Sequence, residues 1–80
     1  MELQIRTFGI ARDIVGGSTI AMELPQGTTV GSLQQQLFER FPRFVELASL
    51  RVAVNAELAE PNWVLSEKDE IALIPPVSGG

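Results

Sequence analysis

Apolar and polar positions alternate from Glu2 to Phe8, with Leu3 and Ile5 set against Glu2, Gln4 and Arg6, which is the period of a half-buried strand. Ser18 to Leu24 alternates again, Ile20, Met22 and Leu24 opposing Thr19, Ala21 and Glu23, and predicts a second strand antiparallel to the first. Between them, Ile10, Ile14 and Val15 fall on one side of a turn or two of helix, which Gly16-Gly17 stops. Pro25-Gln26-Gly27 closes the second strand, and Thr28 or Thr29 offers an N-cap. The period then changes. Val30, Leu33, Leu37, Phe38 and Phe41 form the stripe of an amphipathic helix, with Gln34, Gln35, Gln36, Glu39 and Arg40 on its wet side. Pro42 ends it by disfavouring helical geometry at Phe41. The stripe reads as core packed against a sheet rather than as a ligand site.

Phe44, Val45, Leu47 and Ala48 suggest a short helical crossover. Arg51 to Asn55 predicts a third strand turning at Asn55-Ala56-Glu57, and Pro61-Asn62 breaks the stretch that follows. Trp63, Val64 and Leu65 are expected to return over the core. After the polar turn Ser66-Glu67-Lys68-Asp69, the mostly apolar Glu70 to Ile74 predicts a last strand central in the sheet. The order strand, strand, helix, strand, strand defines an α+β fold, one main helix lying across a mixed sheet. Setting the last strand parallel to the first leaves the six residues that follow emerging from a sheet edge.

Eighty residues make one domain, near the lower size at which a chain buries enough apolar surface to fold unaided. At 45% hydrophobic and 20% charged, with no biased tract, the composition is globular. No apolar run approaches a membrane span and the start lacks the basic residues of a signal peptide, so a cytoplasmic location is expected. Cysteine and histidine are both absent, which removes thiolate nucleophiles, Ser-His and Cys-His pairs and most transition-metal sites. No bound cofactor or metal is expected, and an independent enzyme is disfavoured. The five arginines and one lysine are scattered and the net charge is −4, which argues against nucleic acid and suits solubility.

The candidate chemistry lies at the end, in Pro75-Pro76-Val77-Ser78-Gly79-Gly80. A Gly-Gly end presents a carboxylate with no nearby side chain, able to enter a channel too narrow for other residues. The two prolines stiffen the approach, and six extended residues reach up to ~20 Å. The internal pair Gly16-Gly17 is a control, because its ordinary role is only a turn.

The segments Phe8-Gly9-Ile10-Ala11-Arg12-Asp13-Ile14-Val15-Gly16, Thr29-Val30 with Leu33, Val54-Asn55 with Leu58, Lys68-Asp69-Glu70-Ile71-Ala72 and the tail hexapeptide span the whole chain. In these the sequence resembles the small, sulfur-carrying subunit of molybdopterin synthase, and the arrangement looks like the β-grasp, ubiquitin-like fold. The resemblance implies a β-grasp domain over residues 1–74 and an extended C-terminal tail over residues 75–80. It also implies that an adenylyltransferase akin to ubiquitin-activating enzymes spends ATP to adenylate Gly80. A sulfur donor then converts the terminus to a thiocarboxylate. The tail, from Pro75 through Pro76, Val77, Ser78 and Gly79, threads into the large catalytic subunit, in a heterotetramer, and gives its sulfur to a cyclic pyranopterin monophosphate. The chain would thus be a sulfur-donating subunit, non-catalytic alone. Carry-over places Phe8, Leu58 and Ile74 at the partner surface, though the family often has an aromatic where this chain has Ile74. Arg12 and Arg51 are candidate rim contacts, and solvated arginines on the plainer reading. A sulfur carrier for thiamine synthesis or tRNA thiolation, and a ubiquitin-like modifier joined to lysines, share the Gly-Gly end. The Pro-Pro-Val-Ser lead-in and the extra length over the thiamine carriers favour the molybdopterin reading.

Overall fold

The computed structural model describes residues 1–47 and 50–75. Along the chain lie β1 (Glu2–Thr7), α1 (Gly9–Val15), β2 (Thr19–Glu23), α2 (Val30–Arg40), a 3-10 turn (Pro42–Glu46), β3 (Arg51–Val54), β4 (Glu57–Leu58) and β5 (Ile71–Ile74). The five strands form one sheet in the order β2-β1-β5-β3-β4. β5 runs parallel to β1 on one side and antiparallel to β3 on the other. This central position explains why its sequence is almost wholly apolar. The chain beyond Ile74 therefore leaves from the end of an interior strand, not from a lateral edge of the sheet.

Side-chain alternation assigns one sheet face to the core. Leu3, Ile5, Val52, Val54, Ile71 and Leu73 are buried there beneath Val30, Leu33 and Leu37 of α2. Thr29 caps that helix, its hydroxyl oxygen accepting from the Ser32 N–H at 3.2 Å. Two further first-turn donors are satisfied by a neighbouring segment: Val30 N–H donates to Trp63 O and Gly31 N–H to Pro61 O, each at 2.9 Å. Phe44 closes the far end of the core at 1% exposure. It meets Phe38 and Phe41 edge-on, with centroids 6.4 and 5.8 Å away.

Two expectations about the core are corrected. Ile10 is exposed, and Ala11, with Ile14 and Val15 at the i, i+3, i+4 spacing, forms the inward side of α1. The phase of so short a helix is set by how the chain enters it at Phe8 and Gly9, which apolar spacing alone does not encode. Trp63 and Val64 are exposed as well, and only Leu65 is buried from that stretch. Its backbone is committed to the start of α2, through the bonds above, the Thr29–Val64 bridge and Leu65 N–H to Thr28 O. The expected covering role passes to Leu65 alone. The crossover has the expected helical character through its 3-10 turn, while Ala48 lies outside the described residues.

The turn at Asn55 closes a two-residue strand, β4, that alternation could not reveal in so short a piece. Asn55 and Ala56 both take positive φ, +53° and +70°, as the tight hairpin requires. Asn55 also bonds across to β5's approach: its Oδ1 accepts from the Glu70 N–H at 2.9 Å and its Nδ2 donates to Asp69 Oδ1 at 3.1 Å. Alanine is the strained member, since a Cβ disfavours left-handed backbone by roughly 1–2 kcal/mol. Against glycine's greater entropic loss of about 0.5–1 kcal/mol, Ala56→Gly is expected to raise stability by about 0.5–1 kcal/mol. Chemical denaturation checks this, the midpoint rising at unchanged slope.

Candidate functional site: an open sheet face beside the tail exit

The sheet face opposite α2 carries no helix among the described residues. Register fixes its occupants: Ala72 pairs with Arg6 and with Ala53, Ala53 with Leu58, and Ile74 with Arg51. Paired residues project to the same side of a sheet, so these six form one surface. Phe8, two residues beyond Arg6 in extended backbone, continues it. Phe8 is 48% and Leu58 55% exposed, which is high for side chains of this size in a sequence that fills its core so completely.

A shallow depression of about 270 Å³ lies on this face. Phe8, Ala53, Ala72 and Ile74 supply its apolar wall and floor, and Arg6 and Glu70 lie at its polar side. The two alanines leave the hollow because their strand neighbours on the same face are larger. A second depression adjoins it between Gln4, Arg6, Thr19 and Asp69. An apolar centre with a charged rim is the composition of a protein-docking surface rather than of a small-molecule pocket, which would be deeper.

Of the residues singled out in the sequence, Phe8 and Ile74 line the same depression, and Leu58 and Arg51 stand on the same face one or two strands away. Arg12 is apart from them, exposed on α1, where its carbonyl accepts from the Gly16 and Gly17 N–H groups at the helix end. Gly16, at φ +81°, supplies the left-handed residue that this end needs. Pro75, the first tail residue, is half-buried at the exit from β5. Pro76, Val77, Ser78, Gly79 and Gly80 lie outside the described residues. Sequence reasoning missed Ala53, Ala72 and Glu70 as parts of this surface. Arg6 was legible as a residue of the wet face of β1, but its place at the depression emerges only once the register of three strands is known.

Among the described residues there is no cluster of His, Cys, Asp and Glu side chains able to hold a metal ion. Nor is any of their helices long and apolar enough to cross a membrane.

A mixed sheet wrapped on one main helix, with its last strand central and parallel to its first, defines the ubiquitin-like β-grasp class. The crystal structure of SAMP1 from Haloferax volcanii has the same fold, with TM-score 0.82, 25% identity and 100% of both chains covered. The chain belongs to the ThiS family, whose model matches residues 5–80, and to the molybdopterin synthase sulfur carrier subunits among the ubiquitin-like carriers. The molybdopterin synthase sulfur carrier subunit of Arabidopsis thaliana is 32% identical over 81 residues, covering 100% of this chain and 84% of that protein. A complex of subunits 1 and 2 of the molybdopterin-converting factor from Helicobacter pylori contains a chain that is 26% identical, with TM-score 0.68 and 100% of both chains covered.

Proposed function

We propose that this chain carries sulfur as a thiocarboxylate on Gly80 and delivers it, within a molybdopterin synthase, to a cyclic pyranopterin monophosphate precursor. The observation that carries the reading is likeness to sulfur carrier subunits over the whole of this chain, the family match running from residue 5 to residue 80. Residues 1–74 act as the docking body and residues 75–80 as the delivery arm.

The chemistry follows from what a terminal carboxylate lacks. It is a poor acyl donor to a sulfur nucleophile, because oxide is not a leaving group at neutral pH. An adenylyltransferase partner solves this by joining the Gly80 carboxylate to the α-phosphate of ATP, releasing pyrophosphate. Hydrosulfide supplied by a sulfur donor then attacks the acyl carbon, the new C–S bond forming as the C–O bond to AMP breaks. The thiocarboxylate so formed is anionic and polarizable, a competent nucleophile towards the precursor held by a large subunit. Two deliveries supply the two sulfurs of a dithiolene. This chain's residues bind, orient and extend. ATP and the precursor are bound by its partners, and no cofactor belongs to this chain.

The large subunit is proposed to dock on the open face, with the apolar wall of Phe8 and Ile74 at the centre and Leu58 to one side. The chain seen with subunit 2 in the Helicobacter pylori complex supports that assignment of partner. Leu58→Asp puts a charge into the expected contact while leaving the core untouched, since Leu58 is 55% exposed. Affinity for the large subunit is expected to fall at least tenfold, about 1.4 kcal/mol. Calorimetric titration checks this, with an unchanged melting temperature as the control.

A second reading is a protein modifier, because a similar Haloferax volcanii chain is described as a small archaeal modifier protein. The deciding experiment supplies thiocarboxylated chain, large subunit and precursor, and follows the dithiolene product. Product formation supports the carrier. Absence of product, together with isopeptide bonds from Gly80 to lysines of other proteins in cells, overturns it in favour of the modifier.

A further inference from the structure

Two charged residues stand at the centre of the open face rather than at its border. Register sets Arg6 against Thr19 on one side and Ala72 on the other, so it lies on β1 with a strand on either flank. Glu70 immediately precedes β5, the central strand. Both are exposed, and both line the two adjoining depressions. Asn55 fixes the backbone of Glu70 twice over: its N–H donates to Glu70 O at 2.8 Å, and its Oδ1 accepts from the Glu70 N–H at 2.9 Å. The carboxylate is therefore carried on a pinned base. Among the described residues the only ion pair joins the Met1 ammonium to Glu23, at 3.9 Å, so Arg6 and Glu70 do not neutralise each other.

We propose that Arg6 and Glu70 are specificity-determining residues of the docking face, met in the large subunit by a carboxylate opposite Arg6 and a basic side chain opposite Glu70. Charges that serve only solubility do so equally well at the border of a face. These two line the same hollow as the apolar floor of Ala53 and Ala72, so a partner that covers the floor must also take water from them. A covered charge without a counter-group is strongly unfavourable, and the matching groups therefore belong to the partner. Direction follows from the order of the two charges. Arg6 lies beside Ala72 and Glu70 precedes Ile71, so Glu70 is the farther from Pro75 along β5. An apolar floor alone would accept a partner turned end for end. The charge order sets like against like in that pose, and so selects the one that faces the tail exit correctly.

The pairing rests on the sulfur-carrier reading for the identity of its partner. It is tested by the charge swap Arg6→Glu with Glu70→Arg, which keeps the net charge of −4, the apolar floor and the backbone bonds of Glu70 to Asn55. The full chain is titrated with the large subunit at about 0.05 M and about 0.5 M salt, where screening is weak and strong respectively. At the lower salt the swap is expected to weaken binding by about tenfold or more, and Arg6→Gln and Glu70→Gln by about threefold each. All three losses are expected to shrink at the higher salt, with the melting temperature unchanged. A swapped chain that binds within about twofold of the parent, or a loss that salt does not reduce, overturns the pair. Where the swap itself lowers the melting temperature, the two glutamine variants decide, and parent-like binding by both overturns it. A parent chain that does not bind the large subunit at all overturns the docking reading together with the pair, whereas parent binding that ignores the swap removes the pair alone.

Discussion

Deleting Gly80 is expected to abolish sulfur loading and leave the fold intact. Every core side chain described here lies between Leu3 and Leu73, so the body closes without the last residues. Stability should change by less than about 0.5 kcal/mol, the usual range for changes away from packed or capped positions. Function should not survive, for a geometric reason. The carboxylate would then sit on Gly79, about 3.5 Å short of its place along an extended chain. An activating site that aligns the carboxylate with the α-phosphate of ATP cannot follow it that far, and a loss on the order of 10²-fold or more is expected. Loading is measured by intact mass and folding by a thermal melt. A chain that still loads at the parent rate would place the reactive group elsewhere.

The second large effect is on stability. Phe44→Ala is expected to cost about 3–5 kcal/mol, the range for removing a buried aromatic. Phe44 is 1% exposed and makes edge-on contacts to both Phe38 and Phe41, so the space it leaves cannot be refilled by moving one neighbour. A domain of this size has only about 5–10 kcal/mol in total, and its melting temperature should fall by roughly 15 °C or more. Phe44 is far from the docking face in the layer order, on the α2 side of the sheet. Loading per folded molecule should therefore be unchanged at a temperature where the variant is still folded, and a parallel loss there would mean that the crossover takes part in docking.

How much of this was legible from sequence follows from where water lies. β1 and β2 each have one wet face in sequence, so period-two alternation exposed them, and their register follows once Ile5 and Ile20 are set on one side. β5 was legible for the opposite reason: it is central, and an apolar run bounded by a polar turn and a proline leaves little else. Thr29 and Pro42 bracket α2 with the cap and the break that its stripe requires. β4 was not legible, because two residues carry no period. The inward phase of α1 was misread at Ile10 because hydrophobicity marks which residues prefer burial, not which way a seven-residue helix is turned. Trp63 and Val64 were misread for a related reason, their backbone being used to satisfy α2 while their side chains stay outside.

The candidate site divides in the same way. The chemistry proposed for the tail was suggested in sequence by Gly-Gly after two prolines, and residues 76–80 lie outside the described residues. Of the proposed docking surface, Phe8, Leu58 and Ile74 were named from the family resemblance. Its floor of Ala53 and Ala72 depends on three strands being brought into register, and alanine has no signature of its own.

Gly80 is proposed as the sulfur-bearing end of the chain, and the intact mass of the full chain before and after incubation with an activating enzyme, ATP and a sulfur source tests this. A shift equal to one oxygen replaced by sulfur is expected, localised by fragmentation to Gly80 and absent without ATP. An unchanged mass under conditions that load a known carrier, or sulfur found on any other residue, would contradict it.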